Sequence, residues 1–302
     1  SLLTNFKRLV ETGNVEMLNE TFYHSLAAVF SKAEFLEQIQ KHKAVLQDVF
    51  GYTPTSFRNT ELIYNDAMAK LIVQEGYKTI LAEGVSTKEY CDCPNYFYNT
   101  PDSTKSTVML RNSIISDLIS FNFVGALHDT TSLDPKKVAK KIVSQPGEVV
   151  NIFIDYEFLG EHHKNESGIF CFLEELVSRL EQLGANFVLP SEAPTNLDQD
   201  YNCPEYSSWA DKSKNLDAWL SNNMQNCMAQ EIYALETKVK KCNDPNILDI
   251  WRKMQTSDHF YYMFAKDGDD YNAHRYFSPF GYPHEMFMSF QNILRDFKER
   301  LA

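Results

Sequence analysis

The stretch from Val149 to His163 joins a run of apolar residues to a cluster of residues that could exchange protons. Its first half is apolar and rich in β-branched residues, which indicates a buried strand. Its second half contains Asp155, Glu157 and His162, and α/β proteins place their chemistry at the carboxyl ends of strands. Carboxylates and imidazoles there could act as general acids and bases. The alternative is a strand followed by an acidic, solvent-exposed loop.

The same arrangement recurs where predicted strands alternate with predicted helices. Six predicted strands carry a charged residue at or near their ends. These strands, at 14–18, 55–60, 77–82, 107–111, 149–155 and 185–189, carry Glu16, Glu61, Glu83, Arg111, Asp155 and Glu192. Alternation of strands and helices predicts a parallel sheet with right-handed crossovers. Charged residues at repeated strand ends indicate a barrel with its site at the carboxyl face, so we predict an α/β fold.

The pattern changes after residue 195. Helical stripes at 215–240, 245–256 and 284–300 replace the alternation. We therefore predict two domains, a (β/α) barrel over 1–195 and a helical subdomain over 196–302 that closes the cleft. The first residue is Ser1 and not Met, so we expect an amino-terminal segment with the first barrel strand to be missing.

Composition and charge restrict the classes of partner. The 302 residues carry a formal net charge of −12, which argues against binding to nucleic acid or to an anionic membrane surface. No apolar run approaches the roughly 20 residues of a membrane-spanning helix. The six cysteines include no CxxC pair. This favours free thiols in a reducing cytosol, and so a cytoplasmic location.

Five segments rich in polar and aromatic residues are spread along the chain. They are NVEMLNETFYHSL (14–26), FRNTELIY (57–64), IDYEFLGEHH (154–163), SSWAD (207–211) with DAWLSN (217–222), and QTSDHFYYM (255–263). In this order and spacing they resemble glycoside hydrolase family 57, specifically its α-amylase-like branch. The resemblance extends from residue 13 to about residue 280.

This resemblance implies a retaining α-glycosidase on an incomplete, seven-stranded (β/α) barrel with a helical subdomain. It implies that Glu61 is the nucleophile and Asp155 the general acid/base. Carboxylates at the ends of two barrel strands can face one sugar from opposite sides, and retaining enzymes hold them about 5–5.5 Å apart. The acid needs a raised pKa, whereas the nucleophile must stay ionised. Arg58 and Arg111 could help to keep Glu61 charged.

Further residues are predicted to bind the substrate: Glu20, His24, Arg58, Glu83, Arg111, Asp117, Glu157, His162, Trp209, Asp211, Asp258 and His259. Trp209 could stack its ring on a sugar face, or could anchor the helical subdomain as a core residue. Glu20 and His24 could instead form a structural hydrogen-bonded pair. Trp219 and Trp251 are predicted to lie in the core.

The sequence predicts no metal and no cofactor. His162 and His163 are adjacent, so their side chains point in different directions, and no third ligand has a recognisable spacing. A metal-dependent polysaccharide deacetylase, a different class of enzyme, needs a His/His/Asp triad that cannot be assembled from these residues.

Three departures from the family pattern bear on activity. The family's first motif, a His-Gln-Pro, would lie before residue 1, and segments 155–160 and 115–123 differ from the usual sequences. The second of these segments lacks one acid and one arginine. The predicted function is cleavage of α-1,4-glucans by double displacement through a covalent glycosyl-enzyme. The alternatives are a 4-α-glucanotransferase of the same family and a non-catalytic protein that binds α-glucan or maltooligosaccharide.

Overall fold

Helices outnumber strands in the part of the chain that the structure describes. A computed structural model describes residues 2–84, 93–123, 133–266 and 269–301. Its strands are β1 (Ser56–Arg58), β2 (Thr79–Glu83), β3 (Phe97–Thr100) and β4 (Ser103–Arg111). Its helices are α1 (Leu2–Glu11), α2 (Ala27–Phe30), α3 (Lys32–Phe50), α4 (Asp66–Gln74), α5 (Ser113–Asn122), α6 (Pro135–Val143), α7 (Ile169–Gln182), α8 (Asp217–Leu220), α9 (Asn223–Ala234), α10 (Glu236–Cys242), α11 (Pro245–Lys253), α12 (Ser257–Tyr261), α13 (Asp269–Phe277) and α14 (Pro283–Leu301). Within the ranges described, none of these helices has the length and apolar character needed to span a membrane.

The chain divides into two compact units. The first unit combines Ser1–Leu71 with Cys203–Ala302, and the second unit is Ile72–Asn202. The first unit therefore brings the start of the chain together with helices α8 to α14. The boundaries of these units differ from those of the predicted domains 1–195 and 196–302. The division into a barrel and a helical subdomain stays a prediction.

Helix α3 is a central element of the first unit. Its N-cap Ser31 accepts a hydrogen bond from the backbone N–H of Glu34, as the spacing of these two residues indicates. Gly51 ends the helix in the left-handed conformation, which glycine adopts without strain. Glu34 is buried, and Arg252 of α11 offsets the cost of burying its charge by donating to both carboxylate oxygens, at 2.7 and 3.2 Å. This pair joins α3 to the carboxyl-terminal helices.

A parallel bridge between Asn19 and Phe57 supports strand β1. The backbone N–H of Asn19 donates to the carbonyl of Ser56 at 3.0 Å, and that of Arg58 donates to the carbonyl of Asn19 at 2.9 Å. These bonds place the residues after Asn19 beside the residues after Arg58. Elsewhere in the unit, Trp219 and Trp251 are fully buried, which confirms their predicted place in the core.

Strands β2, β3 and β4 form the sheet of the second unit. β2 is parallel to β4 and brings Glu83 opposite Arg111, so two of the predicted charged strand ends are neighbours. β3 is antiparallel to β4, and Asn151 forms one parallel bridge with Arg111. Helices α5, α6 and α7 supply an apolar core that includes Ile115, Ile119, Val138, Ile142, Phe172, Leu176 and Leu180.

The predicted strands have different outcomes. Segments 77–82 and 107–111 overlap β2 and β4, and 55–60 contains β1. In contrast, 149–155 contributes only the bridge at Asn151, and neither 14–18 nor 185–189 is a strand in the part of the chain described. An apolar run becomes a strand only where a neighbour offers a backbone to pair with. The α/β class is confirmed, but a seven-stranded barrel is not, and β3 was not predicted.

Candidate active site

Glu61 follows strand β1 in a backbone conformation that is rare for a residue with a side chain. It lies in a short 3-10 turn with φ 56° and ψ 23°, and Leu62 also has a positive φ of 52°. The side-chain amide of Asn59 supports the turn by donating to the carbonyl of Ile63 at 3.0 Å. Backbone strain of this kind costs about 1–3 kcal/mol per residue and concentrates at functional sites. The turn therefore identifies Glu61 as a candidate functional residue.

Side chains from three distant parts of the sequence hold the Glu61 carboxylate. His24 Nε2 lies 3.2 Å from Oε1, and Ser257 Oγ donates to the same oxygen at 3.0 Å. Trp209 Nε1 donates to Oε2 at 2.8 Å. The Glu61 side chain remains 15% exposed.

The charges around Glu61 keep it ionised. Burial alone would raise the pKa of Glu61, but the hydrogen bond and charge of His24 oppose burial. Together with the hydrogen bond from Trp209 and the charge of Arg58, they lower the pKa of Glu61 to about 2. Burial alone would lower the pKa of His24, but its bonds to Glu20 and Glu61 raise it to about 10. At neutral pH the site therefore contains an imidazolium beside a carboxylate.

Glu20 and Arg58 form a second layer around this pair. Glu20 Oε2 lies 3.6 Å from His24 Nδ1 and 3.4 Å from a terminal nitrogen of Arg58. Burial opposes ionisation of Glu20, but His24 and then Arg58 lower its pKa overall. The Arg58 guanidinium also lies over the Trp209 ring, 5.0 Å from its centroid. Four of the predicted substrate-binding residues thus surround Glu61 within the first unit.

Asp211 has a buried partner that the sequence analysis did not find. Both of its carboxylate oxygens lie 3.2 Å from Nε2 of His274, and its side chain is only 6% exposed. Asp211 also has a positive φ of 58°. The predicted contact of Asp211 with substrate stays a prediction. No spacing in the sequence connects His274 to the SSWAD segment, 63 residues away.

Helix α12 contributes a donor that the sequence analysis overlooked. Ser257, which binds Glu61, immediately precedes the predicted cleft residues Asp258 and His259. His259 Nε2 lies 3.1 Å from the carbonyl of Lys253. The centroid of its ring lies 4.9 Å from that of Phe290. Burial lowers the pKa of His259. The QTSDHFYYM segment was the available signal for Ser257, whereas substrate contacts of Asp258 and His259 stay predictions.

Arg111 contacts two other predicted site residues in the second unit. Its guanidinium donates to Glu83 at 3.3 Å and to the Phe153 carbonyl at 2.9 Å, and it pairs with Asp117. Glu83 is fully buried at the end of β2. Arg111 therefore links two strand ends to the segment that leads into Asp155. Direct contacts of these three residues with substrate stay predictions.

Asp155 lies at the end of that segment and is exposed. Its carbonyl accepts a hydrogen bond from the backbone N–H of Phe158 at 3.2 Å. Glu157 and His162 are exposed in the same turn, in which the Glu157 carbonyl accepts from the His162 N–H at 3.0 Å. Asp155 and Glu61 belong to different units, and their predicted separation of about 5–5.5 Å stays a prediction. Among the residues described, no three His, Cys, Asp or Glu side chains are grouped to hold a metal ion.

Known proteins resemble this chain in sequence and in fold. The family model of Glycosyl hydrolase family 57 matches residues 1–203. A Methanocaldococcus jannaschii protein named "Putative alpha-amylase" is 39% identical over 321 residues, which span 100% of this chain and 68% of that protein. A branching enzyme from Pyrococcus horikoshii aligns with a TM-score of 0.71 at 14% identity and covers 100% of this chain and 69% of its own. A 4-alpha-glucanotransferase from Thermococcus litoralis aligns with a TM-score of 0.61 at 15% identity. This alignment covers 85% of this chain and 46% of the glucanotransferase chain. At these identities, the two structures show a shared fold alone.

Proposed function

The chain belongs to glycosyl hydrolase family 57, an enzyme family, and from this premise we propose that it cleaves α-1,4-glucans and maltooligosaccharides. The reaction is a double displacement with retention of configuration. Glu61 is the nucleophile and Asp155 is the general acid/base. The name of the Methanocaldococcus jannaschii relative supports an α-glucan as the substrate.

The observation that supports this proposal most directly is that the Glu61 carboxylate is ionised and held by hydrogen bonds. A nucleophilic carboxylate has to be ionised and aimed, and both conditions depend on the groups around it. His24, Ser257 and Trp209 bind its two oxygens, and its pKa lies at about 2. An ordinary surface glutamate has no comparable set of donors, which favours a catalytic role for Glu61.

The first step forms the covalent intermediate. A Glu61 oxygen attacks the anomeric carbon while the bond from this carbon to the leaving oxygen breaks. Asp155 gives its proton to the leaving oxygen, so the shortened glucan departs as a neutral alcohol. The negative charge of Glu61 is consumed in the new ester bond, and Asp155 becomes the carboxylate.

The second step releases the sugar. Water attacks the same carbon and gives a proton to Asp155, and the ester bond to Glu61 breaks. Two inversions at one carbon restore the original configuration, and both carboxyl groups return to their starting states. In the transition states, the neighbouring donors hold Glu61 in place, so little reorganisation is needed when it attacks or leaves.

Trp209 has a second function in this proposal. Its indole N–H binds Glu61, and Arg58 lies over its ring. A sugar that stacks on the ring would therefore be positioned by the same residue that orients the nucleophile. Glu20 and Arg58 are charged groups that could bind sugar hydroxyls around this position.

Product analysis with maltoheptaose tests the proposed reaction. The purified protein should release shorter maltooligosaccharides, first with the α configuration at the new reducing end, and Glu61→Gln should release none, because an amide is a poor nucleophile. Products with inverted configuration would contradict double displacement. Binding of maltoheptaose without turnover would overturn the proposed reaction and favour the glucan-binding alternative.

Transfer to a second sugar is the alternative within the same chemistry. The 4-alpha-glucanotransferase from Thermococcus litoralis shares this fold, and transfer shares the glycosyl-enzyme step with hydrolysis. Maltooligosaccharides longer than maltoheptaose in the same product analysis would establish transfer. Shorter products only would establish hydrolysis.

A cytoplasmic location, with no nucleic-acid and no membrane partner, completes the proposal. It is supported by the charge of −12 and by the free thiols of Cys93, Cys171, Cys203, Cys227 and Cys242.

A further inference from the structure

The buried pair of Asp211 and His274 is connected to the candidate active site through Trp209, which donates a hydrogen bond to Glu61. We propose that His274 is a positioning residue: by holding Asp211, it fixes the loop that aims the Trp209 indole at Glu61. This inference rests on the proposed role of Glu61 as the nucleophile. It assigns to His274 a function in the reaction without contact with the substrate.

The His274 ring is itself held firmly. It is only 2% exposed and is stacked between the rings of Tyr261 and Phe264, with centroid distances of 3.6 and 3.9 Å. Its Nδ1 lies 2.9 Å from the carbonyl of Tyr261. That carbonyl can only accept a hydrogen bond, so Nδ1 carries a proton. Stacking and this bond together fix the direction of Nε2, which faces Asp211.

Asp211 needs such a partner because its loop is strained. Both Asp211 and Lys214 have positive φ angles, of 58° and 49°, which each cost about 1–3 kcal/mol. The loop is closed by the N–H of Ser208, which donates to the Lys214 carbonyl at 3.1 Å. A strained loop persists only where its surroundings hold it. The two short contacts of Asp211 with His274 provide such a restraint.

The restraint reaches Glu61 through Trp209. Only Ala210 separates Trp209 from Asp211. The backbone N–H of Trp209 donates to the Glu61 carbonyl at 3.2 Å, and its indole donates to the Glu61 carboxylate at 2.8 Å. A shift of Asp211 would therefore move both bonds.

Tyr261, which binds the His274 ring, lies on a helix that also contributes to the candidate active site. Tyr261 ends helix α12, and the same helix begins at Ser257, the second donor to Glu61. His274 therefore ties the loop that carries one donor to the helix that carries another. Because the two donors bind different oxygens of Glu61, this tie fixes the plane of the carboxylate.

Two variants separate this role from simple packing. His274→Phe keeps an aromatic ring between Tyr261 and Phe264. It removes the hydrogen bond of Nδ1 to the Tyr261 carbonyl and the contacts of Nε2 with Asp211. His274→Gln is the conservative variant, since its amide can still donate to Asp211. The matched control is His284→Phe, because His284 is exposed and stacks on Tyr282 at 5.5 Å.

The direct readout is the indole N–H signal of Trp209 in a ¹H–¹⁵N spectrum, identified as the signal that Trp209→Phe removes. His274→Phe should move this signal towards that of a free indole and leave the Trp251 signal in place, since the latter bonds to Ile232. His274→Gln should restore most of the shift, and His284→Phe should change nothing. An unmoved Trp209 signal in folded His274→Phe would overturn the proposal.

Kinetics provide the second readout. His274→Phe should lower kcat on maltoheptaose by about 10- to 100-fold, the value of one lost hydrogen bond to a charged group, and change KM less than twofold. His274→Gln should recover most of kcat. An equal rise in KM with kcat unchanged would assign His274 to substrate binding and contradict the positioning role.

The two readouts separate failure of this inference from failure of the proposed function. If wild-type protein does not turn over any α-glucan, the proposed function fails, but the Trp209 signal still tests whether His274 positions the indole. If His274→Phe does not fold, Asp211→Ala, which removes both side-chain oxygens, takes its place. That variant should move the same signal in the same direction, and a signal that stays in place would again overturn the proposal.

Discussion

His24 and Glu61 meet at 3.2 Å between Nε2 and Oε1, and both residues have a left-handed backbone, with φ 49° and 56°. Neither conformation is favourable for a residue with a side chain. Their contact couples an imidazolium to a carboxylate and shifts the pKa values of the two groups apart, to about 10 and about 2. The local strain is therefore offset by an ion pair that keeps Glu61 charged.

We predict that His24→Gln moves the acidic limb of the pH profile upwards. Glutamine can still donate to Glu61 but carries no charge, so the pKa of Glu61 should rise from about 2 by about one unit or more, roughly 1.4 kcal/mol per unit. The measurement is kcat/KM on maltoheptaose from pH 3 to 7. His284→Gln, a change at an exposed histidine, should leave the profile unmoved. An identical acidic limb in wild type and His24→Gln would contradict the proposed influence of His24.

The same pair should make stability depend on pH in a defined window. Glu61 has a lowered pKa, so its contribution is present above its ordinary value of 4.5 and is lost as the pH falls towards 2. His24 has a raised pKa, so its contribution is present below its ordinary value of 6.5 and is lost as the pH rises towards 10. The difference in melting temperature between wild type and His24→Gln should therefore be largest between pH 4.5 and 6.5. A difference that grows from pH 7 to 10 would have the wrong sign.

We predict that Asp155→Asn slows ordinary glucans far more than an activated aryl glycoside. An amide cannot protonate the leaving oxygen, so cleavage of maltoheptaose should fall by about 100-fold or more. A good leaving group departs without a proton, so formation of the glycosyl-enzyme from an aryl α-glucoside should change much less. Burst kinetics isolate this first step. Equal loss on both substrates would remove Asp155 from the acid role, and Glu161→Gln is the matched control on a neighbouring exposed carboxylate.

Arg111 provides a prediction on stability. In Arg111→Met, the fully buried Glu83 loses the Arg111 guanidinium, and removing one partner of a buried ion pair costs about 3–5 kcal/mol. Thermal unfolding should therefore shift downwards by on the order of 10 °C. The control is Arg179→Met, which breaks the exposed pair with Glu175 and should cost below about 1 kcal/mol.

A second variant distinguishes the ion pair from general damage to the fold. Adding Glu83→Gln to Arg111→Met removes the buried carboxylate charge, so it should recover part of the lost stability. If the double variant is less stable than Arg111→Met, the buried charge is not the cause of the loss.

The amino-acid sequence was sufficient to recognise the family, because local segments such as FRNTELIY carry that information without reference to distant residues. It also predicted strands β2 and β4, as these apolar segments do find neighbouring backbones. For the same reason it overestimated 14–18 and 185–189, since local propensity does not show whether a pairing partner is present. Strand β3, in contrast, was not predicted, because its pairing with β4 is not apparent from its own residues.

The sequence pointed to Glu61, but only the tertiary structure decided what surrounds it. Ser257 lies 196 residues from Glu61, and His274 lies 63 residues from Asp211. Contacts over such separations depend on how the helices pack, and a serine or histidine on a helix has no periodicity that reveals its partner. The left-handed backbone of Glu61 is likewise imposed by its surroundings, because an isolated glutamate disfavours it. Residue types therefore determined the candidate chemistry, and packing decided which groups hold the carboxylate in place.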